Sequence, residues 1–390
     1  MATPATTFHT EDLLQAARDR TGLTDFGDMW FAEPMAQYVA AANAEAQLTP
    51  EGFAGQTEVI VKGLASRLRM VEDIRRHPEI LDEKVEVAGI ILGLPRTGST
   101  IFHRLLASAP GMTAIKWFEA QNFAPFPDET PGDPAGRRAY AQAMIDGWLQ
   151  LSPDLASIHP LDPEAPDEEI LIIGQMFLST MVEAMSFIPS FAQWLDGYDQ
   201  SRGHEDLKTI LKYLQWQDPA RRGCRWILKS PSNLPYTELA ARAFPEAVLI
   251  MTHRDPLDVV PSYISMECAL YKLNSQHTDA EVAAFWFPRL VGWIEKFEAA
   301  RARIGEDRFI DIDYREVAHA PLRQAERVLA RMGIPLDARI EAALAEFMAG
   351  NTREQRPVHA YSLDRFGLDE ATIAAAFASY RERFILEKTA

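Results

Sequence analysis

The sequence predicts an α/β protein whose sheet is mainly parallel and flanked by helices. Four short apolar runs rich in β-branched residues carry that reading: Val85–Leu92, Arg225–Leu228, Ala247–Met251 and Arg308–Ile312. Runs of this kind, apolar throughout instead of alternating, mark strands buried on both faces. Helix-like stretches separate them, notably Asn233–Phe244, Asp279–Ile304 and Arg315–Met332, and strands alternating with helices imply a parallel sheet. With 390 residues, 47% of them hydrophobic, the chain has material for a large core.

In chain order, residues 1–84 read as an N-terminal helical extension, because Leu13, Leu14 and Ala17, then Ile60, Leu64, Leu68 and Val71, recur at helical spacing. Residues 85–390 form the main domain. Within it, 120–216 is Pro-rich and then helical, with Trp148, Phe177, Phe187, Phe191, Trp194, Tyr213 and Trp216, and reads as a helical insertion over the site on the acceptor side. The longest apolar run, Ile170–Pro189, holds Gln175 and Glu183 and reads as a buried helix, not a membrane span. Residues 350–390 read as a polar loop that folds back over the sheet, followed by a helix over Asp369–Phe384.

Charge and cysteine usage exclude several classes. Against 39 Lys and Arg stand 56 Asp and Glu, a net charge of -17, and such a field repels nucleic acid and anionic lipid. Any anionic ligand therefore needs a local, preorganised site. Two cysteines, Cys224 and Cys268, make no disulfide framework, and Met1–Thr10 lacks the basic flank and apolar stretch of a signal peptide. A soluble, cytoplasmic protein is the expectation, and a homodimer is compatible with it.

Three motifs carry chemistry. Gly93-Leu94-Pro95-Arg96-Thr97-Gly98-Ser99-Thr100 follows the first buried strand and opens an amphipathic run. A glycine-bounded loop between strand and helix turns successive N–H groups toward one point, which suits a phosphate and makes the sheet P-loop-like. An ATP-binding loop needs a lysine where Ser99 stands, and the one cation of this loop is Arg96. The second motif is Trp226-Ile227-Leu228-Lys229-Ser230-Pro231, which puts a lysine at the C-terminal end of a strand, where open α/β sheets bind ligands. The third is Met251-Thr252-His253-Arg254-Asp255-Pro256, again a strand running into charge. A helix over 257–270 brings Ser262 back toward Arg254, and a guanidinium and a hydroxyl then share one phosphate.

In this order these residues resemble the sulfotransferases that use 3'-phosphoadenosine 5'-phosphosulfate, in particular the bacterial-type branch with a Gly-Leu-Pro-Arg-Thr-Gly-Ser-Thr loop. Trp117-Phe118-Glu119, Pro166–Glu169, Tyr361-Ser362-Leu363 and Phe366-Gly367-Leu368 add to the likeness. The resemblance implies that Pro95, Arg96, Thr97, Gly98, Ser99 and Thr100 bind the 5'-phosphosulfate. It implies that Arg254 and Ser262 hold the 3'-phosphate, with Arg356 as a further ligand, and that Lys229 reaches the sulfuryl group. Glu119 resembles the carboxylate that serves as general base, with His159 and Glu168 as the other candidates, since the Lys-x-x-x-Thr-His of the steroid and phenol branch is missing.

The expected activity is transfer of a sulfuryl group from that donor to a hydroxyl or amine of a small apolar acceptor: an alcohol, phenol, lipid or amine. No metal is required, because three cations balance the phosphate and sulfuryl charge and no Cys–His ligand cluster is present. Two other readings stay open: a P-loop kinase or NTPase, with Asp311 and Asp313 as magnesium ligands, and a catalytically silent nucleotide-binding protein.

Overall fold

The structure, a computed structural model, describes residues 7–130, 132–151, 161–351 and 363–386. Five strands form one sheet: β1 (Glu86–Gly93), β2 (Met112–Thr113), β3 (Arg225–Lys229), β4 (Val248–His253) and β5 (Phe309–Asp313). Their order is β2-β3-β1-β4-β5 and every pairing is parallel, so all C-terminal ends lie on one edge. β1 is central, and the loop that leaves it emerges between the ends of β3 and β4.

Alternation along the strands sorts the core into two layers. Ile90, Leu92, Trp226, Leu228, Leu249 and Met251 face one layer, with the helices Pro50–Arg76, Ser201–Gln217, Pro256–Asn274 and Asp279–Ile304. Ile91, Ile227, Val248, Ile250 and Ile312 face the other, against Ser99–Ala107, Pro321–Arg331 and Ala338–Ala349. The N-terminal helices join the first layer through Leu13, Leu14, Met35, Leu64 and Leu68.

Three expected helices are broken, two of them for a visible reason. Ile170–Pro189 divides into Ile170–Gly174 and Thr180–Met185, followed by Pro189–Gly197. Between the first two, Phe177 and Ser179 take positive φ angles of 60° and 82°, which no helix accommodates. Arg315–Met332 divides at Ala320, because Pro321 restricts the residue before it and starts a new helix. The last helix is likewise in pieces, Glu370–Ala376, Ala378–Arg381 and a wider turn at Glu382–Leu386. Asp279–Ile304 forms as read, started by a reciprocal cap between Thr278 and Glu281.

Candidate active site

The loop after β1 is shaped by contacts that only small residues permit. Gly93 has φ 145°, and a Cβ there would lie 2.3 Å from the Thr252 hydroxyl. Thr252, at the end of β4, donates to the Leu92 carbonyl at 2.9 Å and meets the Thr97 hydroxyl at 2.7 Å, which locks the loop to the neighbouring strand. Gly98 has φ 77°, and its missing Cβ leaves room for the Tyr314 ring, which would stand 2.9 Å from it. Arg96 itself is left-handed, with φ 67°. That turn offers its carbonyl to Arg254, whose Nη1 donates at 2.9 Å.

The predicted cations converge here. Arg96 Nε donates to Ser262 Oγ at 3.2 Å across 166 residues of sequence. Arg254 lies 4.4 Å from the centre of the Tyr314 ring, a cation–π contact that fixes its guanidinium over the loop. Lys229 is 1% exposed, and its Nζ donates to Thr100 Oγ1 at 3.2 Å and pairs with Glu168. Arg96, Thr100, Lys229, Arg254 and Ser262 are thus joined through direct bonds around one loop, with the N-terminus of Ser99–Ala107 among them.

The carboxylates divide differently from the sequence expectation. Glu119 is 5% exposed and fully engaged: Oε1 takes Arg221 Nη2 at 2.7 Å and Oε2 takes the Lys116 N–H at 2.8 Å. Arg221 lies 5.2 Å from the ring of Trp226, near the start of β3 and well before Lys229. The structure therefore joins Glu119 to a buried ion pair and joins Glu168, not Glu119, to Lys229. The role for Glu119 came from the family resemblance; the partner Arg221, 102 residues away, carried no local signal. His159 and Arg356 lie outside the described residues.

Several contributors had no assigned role in the sequence. Glu169, buried beside Glu168, accepts the Lys229 N–H at 2.9 Å and the Asn233 side-chain amide. Burial pushes its carboxyl up to about 7, against the pull of those donors. Near Lys229, His103 Nε2 donates to the Ile227 carbonyl at 3.1 Å, and burial, aided by Lys229, holds its ring down at about 3, so it is neutral. Asp255 caps the helix bearing Ser262 through Leu257 N–H and takes Arg381 in a two-pronged pair at 2.9 and 3.0 Å. His253 is held by Tyr380 and Asp311, each at 2.8 Å, with Phe384 stacked on its ring. The C-terminal turn thereby grips the segment that carries Arg254.

The profile of the sulfotransferase family matches residues 90–338, well over half of the chain, and includes Arg96, Thr100, Glu168, Lys229, Arg254 and Ser262. The chain belongs to the sulfotransferase family. Its likeness is to bacterial members of that family. Among solved structures, sulfotransferase STF9 from Mycobacterium avium superposes with a TM-score of 0.84 at 27% identity, covering 99% of this chain and 98% of that one. Sulfotransferase STF1 from Mycobacterium tuberculosis H37Rv gives 0.82 at 24% identity, over 96% and 99%, and shares the fold. The omega-hydroxy-beta-dihydromenaquinone-9 sulfotransferases Stf3 of Mycobacterium bovis and Mycobacterium tuberculosis are 26% identical over 264 residues, 63% of this chain. The match spans 62% of the length of those curated relatives. Among the described residues, no group of three or more His, Cys, Asp or Glu is placed to hold a metal ion, and no helix is long and apolar enough to cross a membrane.

Proposed function

We propose that this sulfotransferase uses 3'-phosphoadenosine 5'-phosphosulfate as donor and transfers its sulfuryl group to a hydroxyl or amine of a small apolar acceptor. The observation that carries the reading is the junction of Arg96, Arg254 and Ser262 on one side of the loop with Lys229 and Glu168 on the other. The residues fit a small polyanion. The loop has its N–H groups and helix N-terminus, both of its tight positions are glycine, and three cations line it. When bound, the donor supplies a sulfuryl group on a phosphoanhydride oxygen.

The chain's own groups then have distinct tasks. Arg254 and Ser262 hold the 3'-phosphate, and the loop from Pro95 to Thr100 holds the 5' end. Glu168 removes the proton from the acceptor as its oxygen or nitrogen bonds to sulfur, a general-base role typically contributing 10²–10⁴-fold. The bond from sulfur to the bridging oxygen breaks, and Arg96 and Lys229 meet the charge that grows on that oxygen. Lys229 stands between Thr100 and Glu168 and so serves donor and base sides together.

Glu168 stands just before the helix Ile170–Gly174. The curated relatives are named for a hydroxylated substrate, omega-hydroxy-beta-dihydromenaquinone-9, which supports a hydroxyl acceptor. The kinase alternative loses its ground through Ser99 and the family membership. Incubation with radiolabelled donor and a panel of alcohols, phenols and amines tests the proposal. Label transfer to apolar alcohols is expected; absence of transfer, together with no binding of the desulfated nucleotide, overturns it.

A further inference from the structure

Glu169 is 1% exposed, and protein groups bond both of its oxygens. Burying a carboxylate is expensive unless its lone pairs are taken. Both oxygens are taken by the same short loop: Oε2 by the Lys229 backbone N–H at 2.9 Å, Oε1 by the Asn233 amide. The loop is tightened further by the Ser230 hydroxyl accepting from Ser232 N–H at 3.1 Å, and by a bond from Ser232 to Thr180. Glu169 thus leans on the nucleotide wall from the acceptor wall, while its neighbour Glu168 faces Lys229 Nζ.

We infer that Glu169 is a positioning residue that sets the backbone of Lys229, and through it the placement of Lys229 Nζ between Thr100 and Glu168. A carboxylate is needed because it accepts from two donors; a glutamine accepts with one atom and turns a second N–H toward Asn233. The mismatch is reversible on paper. In the double variant E169Q/N233D, the oxygen of the introduced glutamine accepts from Lys229 and its amide donates to the introduced aspartate. The catalytic consequence of the inference rests on the role proposed for Lys229; the backbone contact does not.

The test compares wild type, E169Q, N233D and the double variant for kcat, affinity for the desulfated nucleotide, and hydrogen exchange at the Lys229 amide. In E169Q, kcat falls about a hundredfold, as expected when a reacting group is displaced by about 1 Å. Nucleotide affinity changes less than about threefold, Lys229 amide exchange accelerates, and the double variant recovers at least tenfold in kcat with protection restored. A folded E169Q with wild-type kcat and unchanged exchange overturns the inference. So does a folded double variant no better than E169Q. If wild type transfers nothing while the exchange pattern holds, the positioning contact stands and the proposed reaction is what fails.

Discussion

Arg96 Nε and Ser262 Oγ, 3.2 Å apart, tie the loop after β1 to the helix after β4. The contact makes one site of two motifs that the sequence places 166 residues apart, and it joins the guanidinium and the hydroxyl to which the proposed function gives the 5' and 3' ends of the donor. Their losses separate. Arg96→Ala lowers kcat about 10²–10³-fold, the scale for removing one donor to developing charge. Ser262→Ala weakens desulfated-nucleotide binding about tenfold, near 1.4 kcal/mol, with a smaller effect on kcat. Steady-state kinetics and calorimetric titration read the two outcomes; equal loss of nucleotide affinity in both variants contradicts the division.

The two candidate carboxylates predict different kinetic phenotypes. Glu168→Gln reduces transfer per folded molecule about 10²–10⁴-fold because it removes a base, and it lowers the melting temperature as well because the buried Lys229 loses a charge partner. Glu119→Gln takes from Arg221, at 6% side-chain exposure, its buried charge partner and leaves it the half-exposed Asp218 at 3.3 Å, and breaking such a buried pair costs about 3–5 kcal/mol of stability. Its turnover per folded molecule stays close to wild type. Thermal unfolding and kcat on the same preparations check this, and a stable but inactive Glu119→Gln would restore Glu119 as base.

These contrasts show how far the sequence was readable. The strands, the loop after β1 and the convergence of Lys229, Arg254 and Ser262 on it were legible because each sits at a strand end or a fixed helical offset, although Ser262 bonds Arg96 and not Arg254. The ion pair of Glu119 and the bonds of Glu169 had no signal in sequence for the same reason: burial and the identity of a distant partner decide what surrounds a carboxylate. Arg221 and Asn233 lie 102 and 64 residues from the groups they bind. Tyr314 likewise gives no sign in sequence that it fills the space beside Gly98 and supports Arg254.

Gly98 offers a steric check on the loop. Gly98→Ala places a methyl 2.9 Å from the Tyr314 ring at φ 77°, so both the contact and the backbone resist it. Nucleotide affinity falls at least tenfold, by Arg254 losing its ring support, and stability falls by about 1–2 kcal/mol. Gly98→Ala combined with Tyr314→Ala removes the clash and recovers part of the stability; failure of the second change to help places the strain in the backbone alone.

The grip of the C-terminal turn predicts an effect far from the chemistry. Arg381→Ala leaves Asp255 with its cap to Leu257 N–H but without its two-pronged partner, next to Arg254. The expected result is about threefold to tenfold weaker binding of the desulfated nucleotide, with kcat at saturating donor unchanged. Isothermal titration and a donor saturation curve separate the two, and a fall in kcat at unchanged affinity contradicts the assignment.

His103 gives stability a pH dependence whose sign is fixed by its environment. Burial first, then the neighbouring Lys229, lowers its pKa from 6.5 to about 3. Between those values the unfolded chain binds a proton at this ring and the folded chain does not, so stability rises with pH across the window. The contribution is complete above about pH 6.5 and is lost progressively as pH falls toward 3. His103→Gln keeps a donor for the Ile227 carbonyl and removes the titration. The melting temperature of the wild type therefore drops more steeply from pH 7.5 to pH 5 than that of His103→Gln, though the variant starts lower for its altered packing. Parallel pH profiles would mean that the ring is protonated in the folded protein, with an acceptor at its Nδ1 atom, which is buried and without a hydrogen-bond partner in the structure.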